Sequence, residues 1–277
     1  MRVLTDEHTA ALQDLTVLDP VAHIFIQSQL DGYGTAEPAA ASSGGALFLG
    51  YFDDDELLSA CWVGSNVVPL TATEHQGQRF GEAIRRLDRH FSSVFGPSDA
   101  VRGIWEALRH GRQRAFSVRE SQPLLATATP SSVAPAATLR RARPEEYDVV
   151  LPASAAMFEE ELGYSALATG GDYYRRRVRS LIVRGHCLVD IEPAGGVKFK
   201  ADLGTVTPAA AQIQGVWLAP ELRGRGLSTS YMSAMLNYTL DAAPIASLYV
   251  NDYNDAALAA YRRVGFERVG EFATVLF

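Results

Sequence analysis

The sequence predicts an α/β protein, in detail an α+β one, built from two successive mixed-sheet units, and three observations predict it. The 277 residues are about twice the length of an ordinary domain. Residues 126–138, Ala-Thr-Ala-Thr-Pro-Ser-Ser-Val-Ala-Pro-Ala-Ala-Thr, interrupt the periodic apolar pattern and divide the chain into near-equal halves. The same order of strands and helices is legible in both halves, clearly in the second and blurred in the first. The domains expected are 1–125, a linker at 126–137, and 138–277.

In the second half, 138–142 reads as a strand, and Pro144 opens a helix to 161 in which Pro152 is a potential kink. A second amphipathic helix covers 172–184. Alternating apolar residues give strands at 186–192 and 197–207, joined through Ala194-Gly195-Gly196, and a further strand at 212–218 that stops before Pro220. A helix at 225–240, a strand at 245–250, a helix at 254–264 and closing strands at 266–269 and 272–277 complete the half. In the first half, Asp19-Pro20 supplies a helix cap and N1 proline. A hairpin of 47–52 and 57–63 turns at Asp53-Asp54-Asp55, 74–91 is helical, and 92–95 is a strand. Ser98 caps a helix that runs to Arg109 and ends at Gly111, and 115–125 is extended. Residues 34–45 read as a flexible loop.

Hydrophobic residues make up 47% and charged residues 21%, an ordinary globular balance. A formal charge of −7 argues against a dedicated nucleic-acid partner, because phosphate neutralisation needs surplus Lys and Arg. No apolar run approaches the roughly 20 residues of a membrane span, and the first residues lack the apolar core of a secretion signal, so a cytoplasmic protein is expected. Cys61 and Cys187 stand apart without a Cys-x-x-Cys partner, and the six histidines show no His-x-x-x-His spacing, so neither disulfide nor metal site is expected. Lys198 and Lys200 are the only lysines among 25 basic residues, a preference for Arg that we read as coding composition.

Chemistry concentrates in 212–266. A strand runs directly into Arg223-Gly224-Arg225-Gly226-Leu227-Ser228 and then a helix, so the free amides of the first helical turn converge on one spot. Glycines there allow a diphosphate to approach the backbone closely. This stretch resembles the pyrophosphate loop of the GNAT superfamily of acyl-CoA-dependent acyltransferases, Arg/Gln-x-x-Gly-x-Gly/Ala, with Arg223 and Gly226 matching and Ser228 departing. The same letters also fit at Gln29 and Gln78, but neither lies between a strand and a helix. A second block strengthens the resemblance: Asn254 and Ala257 open the next helix, and Tyr261 precedes Gly265-Phe266 by three intervening residues.

The resemblance implies two tandem GNAT-like sandwich domains, the first degenerate and without a cofactor of its own. It implies acetyl-CoA as co-substrate, with pantetheine along Val216, Trp217 and Leu218 and the diphosphate on Arg223, Gly224, Arg225, Gly226, Leu227 and Ser228. Asn254 and Tyr261 complete the cofactor contacts. It further implies that Tyr261 protonates the departing thiolate and that acetyl passes directly, in a ternary complex, to an amine of a small molecule or of a peptide or protein. No Gly-x-Ser-x-Gly nucleophile elbow offers an acyl-enzyme route. For the base, the acceptor side offers Glu159, Glu160, Glu161, Asp202 and the Phe277 carboxylate, of which Glu160 is taken forward; Gln214 cannot serve. The arginines at 175, 176, 177 and 179 read as an outer helix face. The alternative function is a non-catalytic acyl-CoA-binding regulatory module.

Overall fold

The computed structural model describes residues 1–38, 45–168 and 171–277. By their contacts these fall into two compact units, one of 1–125 with 249–254 and 268–277, the other of 126–248 with 255–267. The loop read at 34–45 lies partly outside the described residues. Its described start is tied down, with the Ala36 amide donating to the Thr9 hydroxyl at 3.0 Å.

The first unit contains β1 (Arg2–Val3), α1 (Thr9–Thr16), α2 (Ile24–Tyr33), β2 (Leu47–Asp53), β3 (Glu56–Val63), β4 (Asn66–Leu70), α3 (Glu74–Arg86), β5 (Ser93–Pro97), α4 (Ser98–Leu108) and β6 (Ser117–Thr127, of which Ala126 and Thr127 group with the second unit). The expected helix start at Asp19 is instead a turn. Asp19 Oδ1 accepts from the amides of Val21 and Ala22 at 3.1 and 2.9 Å, and α2 begins only at Ile24. Strand β4 was hidden by Pro69, which argues against a strand interior. Here Pro69 faces Cys61 of β3, and β4 runs parallel to β5. Helix α3 stops at Arg86 rather than 91, and Asp88 takes a positive φ of 49° just beyond it.

The second unit contains β7 (Arg140–Arg141), α5 (Tyr147–Leu162), α6 (Asp172–Val183), β8 (Cys187–Ile191), β9 (Val197–Val206), β10 (Ala211–Leu218), α7 (Leu227–Ala242), β11 (Ala246–Tyr249, of which Tyr249 groups with the first unit) and α8 (Asp255–Val264). Its strands lie in the order β11-β10-β9-β8-β7, with β10 and β11 parallel and the rest antiparallel. Pro152 does not break α5. One face of the sheet is covered by α5 and α6, where Val150, Leu151, Val178 and Ile182 pack on Cys187 and Val189. On α7, Tyr231 stacks on Phe199 of β9, ring centroids 4.5 Å apart, and donates to Asp190 at 2.6 Å.

The two closing strands expected at the C-terminal end are one, β12 (Glu267–Leu276). Gly270 does not turn the chain, since its φ is not positive. Strand β12 pairs antiparallel with β5 of the first unit, from Phe272 opposite Pro97 to Leu276 opposite Ser93, and Ala273 and Val275 join the core around Phe80 and Ile104.

At the β7–α5 corner Glu146 accepts from Arg140 at 2.7 and 2.8 Å and from the Arg143 amide at 2.8 Å. Arg140, helped by Arg143 and opposed by burial, holds its carboxyl down to about 2. A depressed carboxylate stabilises the fold above its ordinary value of 4.5 and loses that contribution as pH falls towards 2. With the side chain only 12% exposed, the effect is on the order of 2 kcal/mol. Glu146→Gln is therefore expected to lower the melting temperature at pH 7, with the gap to the parent closing on acidification; a gap independent of pH would refute this assignment.

Candidate active site

Strands β10 and β11 begin as partners and then part. They pair at Ala211 with Ala246 and at Gln212 with Ser247, while β10 continues to Leu218. A bulge adds to the divergence: the register against β9 jumps between Gln214 opposite Asp202 and Trp217 opposite Lys200. Gly215, at φ +59°, forms it. A Cβ there would stand 2.8 Å from Asp202 Oδ2, so both the backbone angle and the neighbour require glycine. Val216, Trp217 and Leu218 follow half-buried, beyond the stretch of β10 that pairs with β11. Such an edge suits an amide-bearing chain that adds to the sheet.

Beyond β10, a 3-10 turn at Pro220–Leu222 leads through Arg223 to Gly224 and Gly226, at φ +73° and +75°. Gly226 is the N-cap of α7, and no side chain caps that helix. A Cβ on either glycine would meet nothing within 4 Å. The first amides of a 16-residue helix thus face open space at the positive end of its dipole. Ser228 is half-buried in the first turn, and the side chain of Arg225 is exposed. Arg223 folds back, donating from Nε to the Leu218 carbonyl at 2.9 Å and pairing with Glu160 of α5 at 2.8 Å. Trp217 Nε1 also donates to Glu160, at 3.2 Å.

Tyr261 lies on α8 with 7% of its surface exposed, and burial pushes its phenol up to about 12, with Glu161 adding to the rise. It holds its proton at neutral pH. The Gly-Phe pair after it has a folding role: Gly265, at φ +113°, ends α8, and the amides of Gly265 and Phe266 both donate to the Tyr261 carbonyl. The buried Phe266 ring sits 6.2 Å from Tyr261. Asn254 immediately precedes α8, its amide donating to the Asn251 carbonyl at 3.0 Å.

Other sequence candidates disperse. Phe277 packs against Phe91 and Trp105 in the first unit. Glu159, Glu160 and Glu161 are exposed at the end of α5, and the arginines at 175, 176, 177 and 179 are exposed on α6, with Arg179 over the Tyr147 ring at 4.6 Å. Asp202 is buried against Lys200, a pair that sequence reasoning passed over. The first unit has no comparable cradle among its described residues, for a local reason. Its helix α3 starts in a capping box, in which the Thr73 hydroxyl accepts from the Gln76 amide and Gln76 returns to the Thr73 amide at 2.9 Å. A cavity of about 550 Å³ in that unit, bordered by Tyr33, Trp62, Arg89 and His90, lies away from that helix start. Gln29 and Gln78 lie within α2 and α3. Both cysteines are buried thiols, raised by that burial, and among the described residues no three His, Cys, Asp or Glu side chains gather to hold a metal. No described helix is long and apolar enough to cross a membrane.

Residues 151–266 match the model of the acetyltransferase (GNAT) family, and residues 46–150 that of a domain of unknown function, DUF4081. The protein carries a GNAT acetyltransferase domain preceded by a DUF4081 domain. A mycothiol acetyltransferase of Salinispora arenicola is 25% identical over 272 residues, 93% of this chain and 87% of that relative. An N-alpha-acetyltransferase RimI of Mycobacterium tuberculosis is 35% identical over 68 residues, and the match spans 42% of its length and 24% of this chain. A tandem GNAT protein from the clavulanic acid biosynthesis pathway aligns over 98% of this chain and 96% of its own, at 14% identity and a TM-score of 0.55. A GCN5-related N-acetyltransferase from Sphaerobacter thermophilus reaches 0.62 over 99% of this chain and 93% of its own, at 15% identity. These last two likenesses are of fold.

Proposed function

We propose that the second unit is an acetyl-CoA-dependent N-acetyltransferase acting on an amine of a small molecule or of a peptide or protein. The observation that carries this reading is the run of bulge, opened strand and uncapped helix start within one unit that also holds a buried, protonated tyrosine. The residues fit acetyl-CoA: the open edge of Val216, Trp217 and Leu218 offers backbone groups to the pantetheine amides, and Gly224 to Ser228 offer amides to the diphosphate. The acceptor's nitrogen attacks the thioester carbonyl, the new C–N bond forms as the C–S bond breaks, and Tyr261 gives the departing sulfur its proton. The acceptor's own proton passes to a carboxylate, for which we propose Glu160. To act so, Glu160 exchanges one of its donors, Arg223 or Trp217, for the amine. A Glu160→Gln variant with the parent's kcat would remove it from this role.

The test is calorimetric titration with acetyl-CoA followed by thiol release in the presence of an amine library. One equivalent per chain is expected to bind, with release dependent on an amine. Binding of one equivalent without release from any amine would favour a regulatory acyl-CoA-binding module, and two equivalents of comparable affinity would make the first unit a second site.

A further inference from the structure

A buried ion pair lies beneath the bulge of β10. Lys200 and Asp202, on the same face of β9, are 0% and 5% exposed, and Nζ stands 2.6 Å from Asp202 Oδ2. The same ammonium donates to the Gly215 carbonyl at 3.3 Å. A Cβ on Gly215 would lie 3.3 Å from that Nζ and 3.4 Å from Met157 Cε, so the bulge rests directly on the pair. The chain uses arginine nearly everywhere and keeps its two lysines for β9, where each meets a buried aspartate: Lys198 with Asp190 at 3.1 Å, Lys200 with Asp202. A compact ammonium can point one donor at a carboxylate and another at a carbonyl where a planar guanidinium would not fit. A buried pair gains little net stability over apolar side chains of similar size. Its placement directly under the β10 bulge calls for another reason.

We propose that Lys200 and Asp202 are positioning residues for acetyl-CoA: the ammonium, oriented by Asp202, holds the Gly215 carbonyl and so fixes the bulge from which Val216, Trp217 and Leu218 continue beyond the pairing with β11. This rests on the acetyl-CoA reading above. Neither residue touches the reacting atoms. The pair acts on where the β10 backbone groups point, and thus on cofactor affinity rather than on acceptor recognition.

The test uses the full chain with Lys200→Met/Asp202→Asn, which removes both charges at nearly constant volume and leaves no lone buried ion. Glu146→Gln serves as comparison, since it loses an ion pair of the same unit without touching Gly215. The double variant is expected to fold, to bind acetyl-CoA at least tenfold more weakly with the acceptor KM unchanged, and to exchange the Val216 and Trp217 amide hydrogens faster than the parent. Glu146→Gln is expected to keep the parent's affinity. Should the double variant fail to fold, Lys200→Met/Asp202→Leu, which replaces both charges with apolar side chains of similar size, carries the test by the same measurements. Equal affinity and equal exchange in variant and parent would overturn the positioning role. A parent that binds no acetyl-CoA would instead sink the cofactor reading on which it rests.

Discussion

Gly226→Val is expected to abolish acetyl-CoA binding, a loss of at least a hundredfold, in a chain that still folds. Two independent effects act in the same direction. The left-handed backbone of Gly226, φ +75°, is costly for a β-branched residue, on the order of 1–2 kcal/mol, so the loop shifts. The new side chain also projects into space that is now open, in front of the uncapped amides of α7. Gly226→Ala should fall between the parent and the valine variant, because it adds strain but little bulk. Calorimetry measures affinity, and thermal melting shows that the fold persists. Gly81 would be a poor comparison, since a Cβ there would stand 2.6 Å from the Ile104 carbonyl and disturb the packing of α3 on α4. Gly32, with nothing within 4 Å, is the better one. A valine variant at 226 that binds as well as the parent would dismiss the loop as the diphosphate site.

Tyr261→Phe is expected to lower kcat by about a hundredfold to ten-thousandfold while acetyl-CoA affinity stays within a fewfold, because the ring still packs and only the proton donor is lost. The pH dependence supplies a second signature. An acid must be protonated to act, so activity due to Tyr261 is lost as pH rises through its folded value of about 12. Between pH 7 and 10 the parent should therefore show no descending limb from this group. The same shift favours the neutral phenol in the fold, a contribution present below the ordinary value of 10 and lost as pH climbs towards 12. Full turnover in the phenylalanine variant would reassign Tyr261 to packing.

Much of this was legible because the signals were local. The uncapped entry to α7 follows from Arg223 to Ser228 following a strand, and the end of α8 from Gly265, without knowledge of anything distant. What escaped depended on pairing. Strand β4 carries a proline that only its place beside β3 makes tolerable. The partner of β12 lies some 180 residues earlier in the chain, and no periodicity in Glu267–Leu276 names it. Glu160 reads as one of three equivalent glutamates until Arg223 and Trp217 single it out. The lysines of β9 were visible as an oddity of composition, but their meaning lay in the bulge two strands' width of hydrogen bonding had to create.

The placement of β12 governs how the chain must be made and how it can be cut. On the ribosome, residues 1–125 emerge with β5 paired to β4 on one side only, and its other edge stays open until β12 is synthesised. A bare strand edge of that kind invites pairing with other chains. Severing the protein between Thr127 and Thr138 would leave one piece missing a strand and the other carrying a strand with nothing to join. The two halves are thus sequential in the gene but interlaced in the product, and neither is a freely transplantable module.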